Sequence, residues 1–186
     1  MSEHEFRTVK SSQTTLKELM VPSYANFGGK VHGGVLLSLM DKIAYTCAAS
    51  HARTYCVTAS IDSVDFINPV EVGELLTLYA SVNYVGRSSM EVGIKIVSED
   101  FHNGVVKPTN TCYFTMVAVD EETRKPVPVP GLILEEDLEI KRFLEGMMRR
   151  RLKQAHRDEM RQARAALDIE QELHRLDGQN CQLKRA

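Results

Sequence analysis

The chain has 186 residues, 43% hydrophobic and 26% charged, with a formal net charge of −2, the composition of one ordinary globular protein. So small a net charge excludes the bulk attraction that nucleic acid or an anionic membrane surface exerts on its partners. No stretch approaches the ~20 apolar residues of a bilayer span, and residues 1–10 hold no apolar run of signal-peptide length, so the expected location is the cytoplasm.

The first element in chain order is a loop, Asn26-Phe27-Gly28-Gly29, followed by a predicted helix over residues 33–51. Apolar residues fall on nearly every side of this helix, as in a helix that is buried all round. Strand-like runs follow over 57–67 and 75–85, and then the period-two series Met90, Val92, Ile94, Ile96. His102-Asn103-Gly104 is a hairpin signal, because Asn-Gly accepts positive φ, and 111–119 completes the series. Neighbouring strands joined by short turns imply an antiparallel sheet, with the helix as filling for its apolar face. The fold class expected is α+β, a sheet wrapped around one central helix.

After Pro126-Val127-Pro128-Val129-Pro130-Gly131 the composition changes. Residues 135–176 are strong helix formers with a single glycine, Gly146. Leu144, Met148, Leu152, Met160 and Leu167 make a narrow apolar stripe on a densely charged helix, expected at a surface or between subunits and broken once. The expected division is therefore a domain over 1–131 and a charged helical extension over 132–186. Cys47, Cys56, Cys112 and Cys181 form no Cys-x-x-Cys pair, which argues against a metal site or a redox dithiol and for reduced structural thiols.

Asp41 is the most informative single residue. It is the sole acid between Val31 and Ala49, and a carboxylate in an apolar helix needs partners or a proton. A pairing with Lys42 is the plain alternative, but adjacent residues project about 100° apart around a helix. Gly33 and Gly34 stand where a helix presents unpaired N–H groups and the positive end of its dipole. A substrate carbonyl could approach there, or the glycines could simply make a tight entry turn with His32. The remaining histidines read as structural or surface residues, with His51 near a helix end that favours a cation.

Asn26, then His32-Gly33-Gly34, then Asp41 on the same helix, resemble the active-site signature of hotdog-fold acyl-CoA thioesterases. The segments Phe66-Ile67-Asn68-Pro69-Val70, Tyr84-Val85-Gly86-Arg87-Ser88-Ser89-Met90 and Arg124-Lys125-Pro126-Val127-Pro128 are similar to the short cytosolic acyl-CoA hydrolase branch. The likeness spans residues 14–130 and leaves out the charged extension. It implies hydrolysis of acyl-CoA, no cofactor beyond the coenzyme A thioester itself, dimers that share their sites, and three dimers in a hexamer. Under it, the Gly33 N–H, with or without that of Gly34, polarises the thioester carbonyl. Asp41 of the neighbouring chain activates a water or attacks directly, and Asn26 orients the water or the carbonyl.

Spacing independently favours a shared site. Gly33 and Asp41 lie about 12 Å apart along a straight helix, whereas an attacking group must come within about 3–3.5 Å of the carbon. For the phosphates of coenzyme A, Gly86-Arg87-Ser88-Ser89 offers N–H groups, hydroxyls and a guanidinium, and Arg124 and Lys125 offer two further cations. An ordinary hairpin turn with a solvated arginine is the competing reading. Two other functions fit the same fold. A non-catalytic acyl-CoA-binding protein gains nothing from a buried acid, and a hydroxyacyl dehydratase needs a catalytic His that has no candidate here.

Overall fold

The computed structural model describes residues 5–184. The chain divides into two compact units, Met1–Gly146 and Met147–Ala186. This division lies inside a helix, later than the compositional change after Gly131.

In the first unit, β1 (Phe6–Thr8) and β2 (Thr14–Leu19) precede α1 (Gly33–Ala52). Then come β3 (Cys56–Ile61), β4 (Leu75–Val85), β5 (Ser89–Asp100), β6 (Val105–Ala118) and β7 (Gly131–Ile133). Five strands form one antiparallel sheet in the order β2-β4-β5-β6-β3. β1 and β7 pair separately and in parallel. The β5–β6 turn ends on Gly104 at φ +67, the left-handed conformation the Asn-Gly signal requires.

The sheet curls over α1. Leu76, Leu78, Val82, Ile94, Ile96, Phe114 and Met116 point inward and meet Leu36, Leu39, Met40, Ile43 and Ala44, all buried. Each such large side chain contributes roughly 1.5–3 kcal/mol by leaving water, so this contact holds the helix in place. The expectation of an all-round buried helix is corrected within the single chain. Gly34, Ser38, Asp41, Lys42, Tyr45 and Thr46 are exposed, and their spacing puts them on one face turned away from the sheet.

Three further expectations change. The run 57–67 is a strand only to Ile61; Asp62 N–H still bonds the Tyr113 carbonyl at 3.0 Å, after which the backbone leaves the sheet and returns where Ile67 N–H meets the Thr109 carbonyl at 3.2 Å. The edge strand β2 was not expected. His51 does lie in the last turn of α1, but it is fully buried, its Nε2 lies 3.0 Å from the Pro130 carbonyl, and burial lowers its pKa from 6.5, which works against the cation a helix end favours.

α2 (Asp137–Ala166) begins in the first unit. The Glu139 carboxylate accepts the Glu135 and Glu136 N–H groups at 2.7 and 3.3 Å. The Phe143 ring lies 5.0 Å from that of Tyr84, and Gly146 passes so near this strand that a Cβ there would lie 2.6 Å from Tyr84 Cβ. In the second unit, α2 ends at Ala166 and the short α3 (Ile169–Glu172) starts on Asp168, whose side chain caps the Glu170 N–H at 3.0 Å.

Candidate active site

His32 precedes α1 in an extended conformation, and its Nδ1 accepts the Gly34 N–H at 2.8 Å. Val35 N–H bonds the His32 carbonyl at 2.9 Å. The Gly34 N–H is thus engaged, which removes it from the donors offered to a substrate carbonyl and gives His32 a turn-stabilising part. The Gly33 N–H has no acceptor among the described residues and stands at the positive end of a 20-residue helix. The Phe66 ring flanks it, 3.7 Å from where a Gly33 Cβ would stand.

Asn26 organises the loop that leads there. Its Oδ1 accepts the N–H groups of Gly28 at 2.8 Å and Lys30 at 3.2 Å, and its own N–H bonds the Lys30 carbonyl at 2.6 Å. Gly29, at φ +79, turns the chain between them. With the oxygen occupied, the group Asn26 can offer outward is its amide NH2.

Asp41 is exposed, so the argument from burial does not hold within one chain. It has instead a partner on β3: Thr58 Oγ1 donates to Asp41 Oδ1 at 2.6 Å. Among the described residues the second oxygen has no hydrogen-bond partner. Thr58 pairs with Met116 across the β3–β6 ladder, and the register shifts immediately afterwards, between Thr58 and Ser60. Such a bulge re-aims side chains locally. Sequence reasoning did not single out Thr58. A threonine in a strand-like run is unremarkable until the fold brings that strand alongside α1. Asp41 and Thr58 line a surface pocket of about 380 Å³ with Lys42, Tyr45, Tyr55, Cys56 and Val57.

The sheet brings the two candidate phosphate-binding segments to the same end as this pocket. Cys56 pairs with Ala118, and Ser89 pairs with Val117 beside it. Gly86 N–H closes its turn on the Ser89 carbonyl at 2.7 Å and so is engaged, while the Ser88 and Arg87 carbonyls accept the Ala118 and Val129 N–H groups, each at 3.0 Å. The Arg87 side chain is exposed. Arg124 and Lys125 lie on the next turn, closed by Asp120 N–H to the Lys125 carbonyl at 2.9 Å.

The thiols of Cys47, Cys56 and Cys112 are buried, which pushes them up to about 12, 11 and 12. Among the described residues no group of three His, Cys, Asp or Glu is placed to hold a metal ion. Among the described residues no helix is long and apolar enough to cross a membrane.

Residues 28–104 match the family model described as the thioesterase superfamily. The chain is 46% identical over 144 residues to Protein VdlD of Helicobacter pylori, an alignment covering 77% of this chain and 81% of that one. The chain belongs to the thioesterase superfamily. Among solved structures, the superfamily's acyl-CoA hydrolase from Staphylococcus aureus in complex with butyryl coenzyme A superposes with a TM-score of 0.77 at 35% identity, covering 85% of this chain and 96% of that one. Variants of that hydrolase with an asparagine, an aspartate or a threonine changed to alanine have also been solved. An apo-hexameric acyl-CoA thioesterase superposes with a TM-score of 0.73 at 36% identity, covering 88% and 99% of the two chains. These likenesses agree with the curled sheet around a central helix, the hotdog fold.

Proposed function

We propose that the chain is an acyl-CoA thioester hydrolase that releases a free fatty acid and coenzyme A, with each active site built from two copies. The observation that carries the proposal is the exposed Asp41 carboxylate, held by Thr58 and eight residues along the same continuous helix from the open Gly33 N–H. About 12 Å of helix separates the two, so they meet at one carbonyl only when the exposed faces of two helices come together. The hexameric thioesterase supports self-association, which the proposal takes as three dimers.

In the reaction, the Gly33 N–H of one subunit donates to the thioester carbonyl oxygen and stabilises the negative charge that grows on it. The partner subunit's Asp41 acts through the oxygen that Thr58 leaves uncovered. It takes a proton from a water as that water attacks the carbonyl carbon, or it attacks the carbon itself to give a mixed anhydride that water then opens. The Asn26 NH2 orients the water or the carbonyl. Coenzyme A leaves as a thiolate, which is tolerable because thiols ionise readily (near ~8.5), so no dedicated general acid is needed. The asparagine, aspartate and threonine varied in the Staphylococcus aureus hydrolase stand at the same sequence spacing as Asn26, Asp41 and Thr58. Arg87, Ser88, Ser89, Arg124 and Lys125 bind the phosphates of coenzyme A. The expected location is the cytoplasm.

Thiol release from acyl-CoA of increasing chain length tests the proposal. The wild-type protein turns over, and Asp41→Asn lowers kcat by about 10²–10⁴-fold. Near-normal turnover by that variant would refute the assignment.

A further inference from the structure

Arg124 has a backbone conformation that arginine rarely adopts, with φ 57. A closed turn holds it there: Arg124 N–H bonds the Asp120 carbonyl at 2.9 Å, and Asp120 Oδ1 accepts both the N–H and the hydroxyl of Thr123 at 2.7 Å. The left-handed region costs a non-glycine residue free energy, and such a cost is often retained where a side chain has to be aimed. The Arg124 guanidinium lies over the ring of Tyr55, with Cζ 5.6 Å from the centroid.

Tyr55 is itself held. Its carbonyl accepts the Val119 N–H at 2.9 Å, just ahead of the Arg124 turn, and its ring meets that of Tyr45 at 6.0 Å with a tilt of 58°. Both rings line the pocket that contains Asp41 and Thr58, whereas Arg124 does not. The cation therefore stands outside the pocket of the reacting carboxylate, beside a ring that lines it. Such an offset suits a substrate whose phosphates are remote from its thioester. The cation–π contact with the ring holds the guanidinium through its charge and uses none of its N–H donors, which are left to meet phosphate oxygens in pairs. It also fixes a long side chain that would otherwise lose rotamer freedom on binding.

We infer that Tyr55 is a positioning residue that holds Arg124 ready for a phosphate of the coenzyme A thioester, on the subunit that supplies Asp41. The inference rests on the hydrolase reading. It separates Tyr55 from the bond-breaking step and predicts that its influence passes through Arg124.

Steady-state kinetics on Tyr55→Leu, Tyr55→Phe, Arg124→Gln and the double variant Tyr55→Leu/Arg124→Gln test it. Two substrates are compared, an acyl-CoA and the same acyl group on N-acetylcysteamine, which has the thioester without the phosphates. Tyr55→Leu and Arg124→Gln each raise KM for the acyl-CoA about ten-fold, the order expected for a charge-assisted phosphate contact, with kcat little changed. The double variant is no worse than Arg124→Gln alone, Tyr55→Phe restores the ring and the KM, and the loss is confined to the substrate that carries phosphates. An equal loss on both substrates, or independent addition of the two effects, would overturn the inference. If wild type hydrolyses neither thioester, the hydrolase reading fails separately. Calorimetric binding of coenzyme A then decides the Tyr55 claim, which falls if Tyr55→Leu binds as wild type does.

Discussion

The Thr58 hydroxyl donates to Asp41 Oδ1 at 2.6 Å, across seventeen residues of chain and between two different elements. Its oxygen also lies 3.5 Å from Met116 Sδ, but a hydroxyl has one proton and the carboxylate is the stronger acceptor. Asp41 is thereby held in one rotamer with one oxygen committed and the other open.

Removing that hydroxyl leaves the carboxylate mobile. Thr58→Ala is expected to lower kcat by roughly 10–100-fold, the equivalent of the ~1.5–3 kcal/mol of a charged hydrogen bond, while KM and thermal stability change little. Thr58→Ser retains the donor and most of the rate. Equal turnover by Thr58→Ala and wild type would remove Thr58 from the site.

Gly146 sits inside α2, where alanine would normally gain about 1 kcal/mol in helix propensity. A Cβ there would stand 2.6 Å from Tyr84 Cβ and 3.0 Å from Glu91 Oε1. Tyr84 Cβ is anchored to the β4 backbone and cannot swing aside, so overpacking at about 1–3 kcal/mol outweighs the propensity gain. Gly146→Ala is expected to lower Tm in a melting experiment.

Burial lowers the pKa of His51 below 6.5 in the folded chain. Below 6.5 the unfolded chain binds a proton that the folded one refuses, so this contribution is complete above pH 6.5 and is lost as pH falls towards the folded value. Nearby, Arg7 Nη1 donates to the His51 carbonyl at 2.6 Å and pairs with Glu5. Chemical denaturation at a series of pH values should show stability falling below pH 6.5, with a shallower slope in His51→Gln. An unchanged slope would assign the acid sensitivity elsewhere.

Thiol reactivity follows burial. Cys47, Cys56 and Cys112 are buried with raised pKa values, whereas Cys181 is exposed. A thiol-specific reagent at neutral pH should modify Cys181 at once and the other three only on unfolding. Rapid modification of Cys56 in the folded protein, read by peptide mass, would contradict this.

Much of the frame was legible in the sequence. The helix was placed from Gly33 to within one residue of its end, β4 at its observed bounds, and the Asn103-Gly104 turn by its backbone demand. The edge strand β2 was not, because Thr14–Leu19 is short and only half-buried, and its one clear apolar residue before the end is Leu16. The open face of α1 was hidden by Val35, Leu37 and Tyr45, which made the helix look apolar all round. Asp41 drew attention for a burial it does not have in one chain. The Thr58 contact depends on which strand lies beside α1, and the engagement of Gly34 by His32 depends on a ring orientation; spacing along one chain carries neither.

The sharing of each site between two subunits is tested most directly by mixing two inactive variants, Asn26→Ala and Asp41→Asn, under conditions that exchange subunits. In a mixed dimer one site carries both substitutions and the other carries neither. A shared site therefore predicts recovery of activity towards about a quarter of wild type at equal mixing, by random pairing of copies under two-fold symmetry. Activity no greater than the average of the two separate variants would contradict it and return the whole site to a single chain.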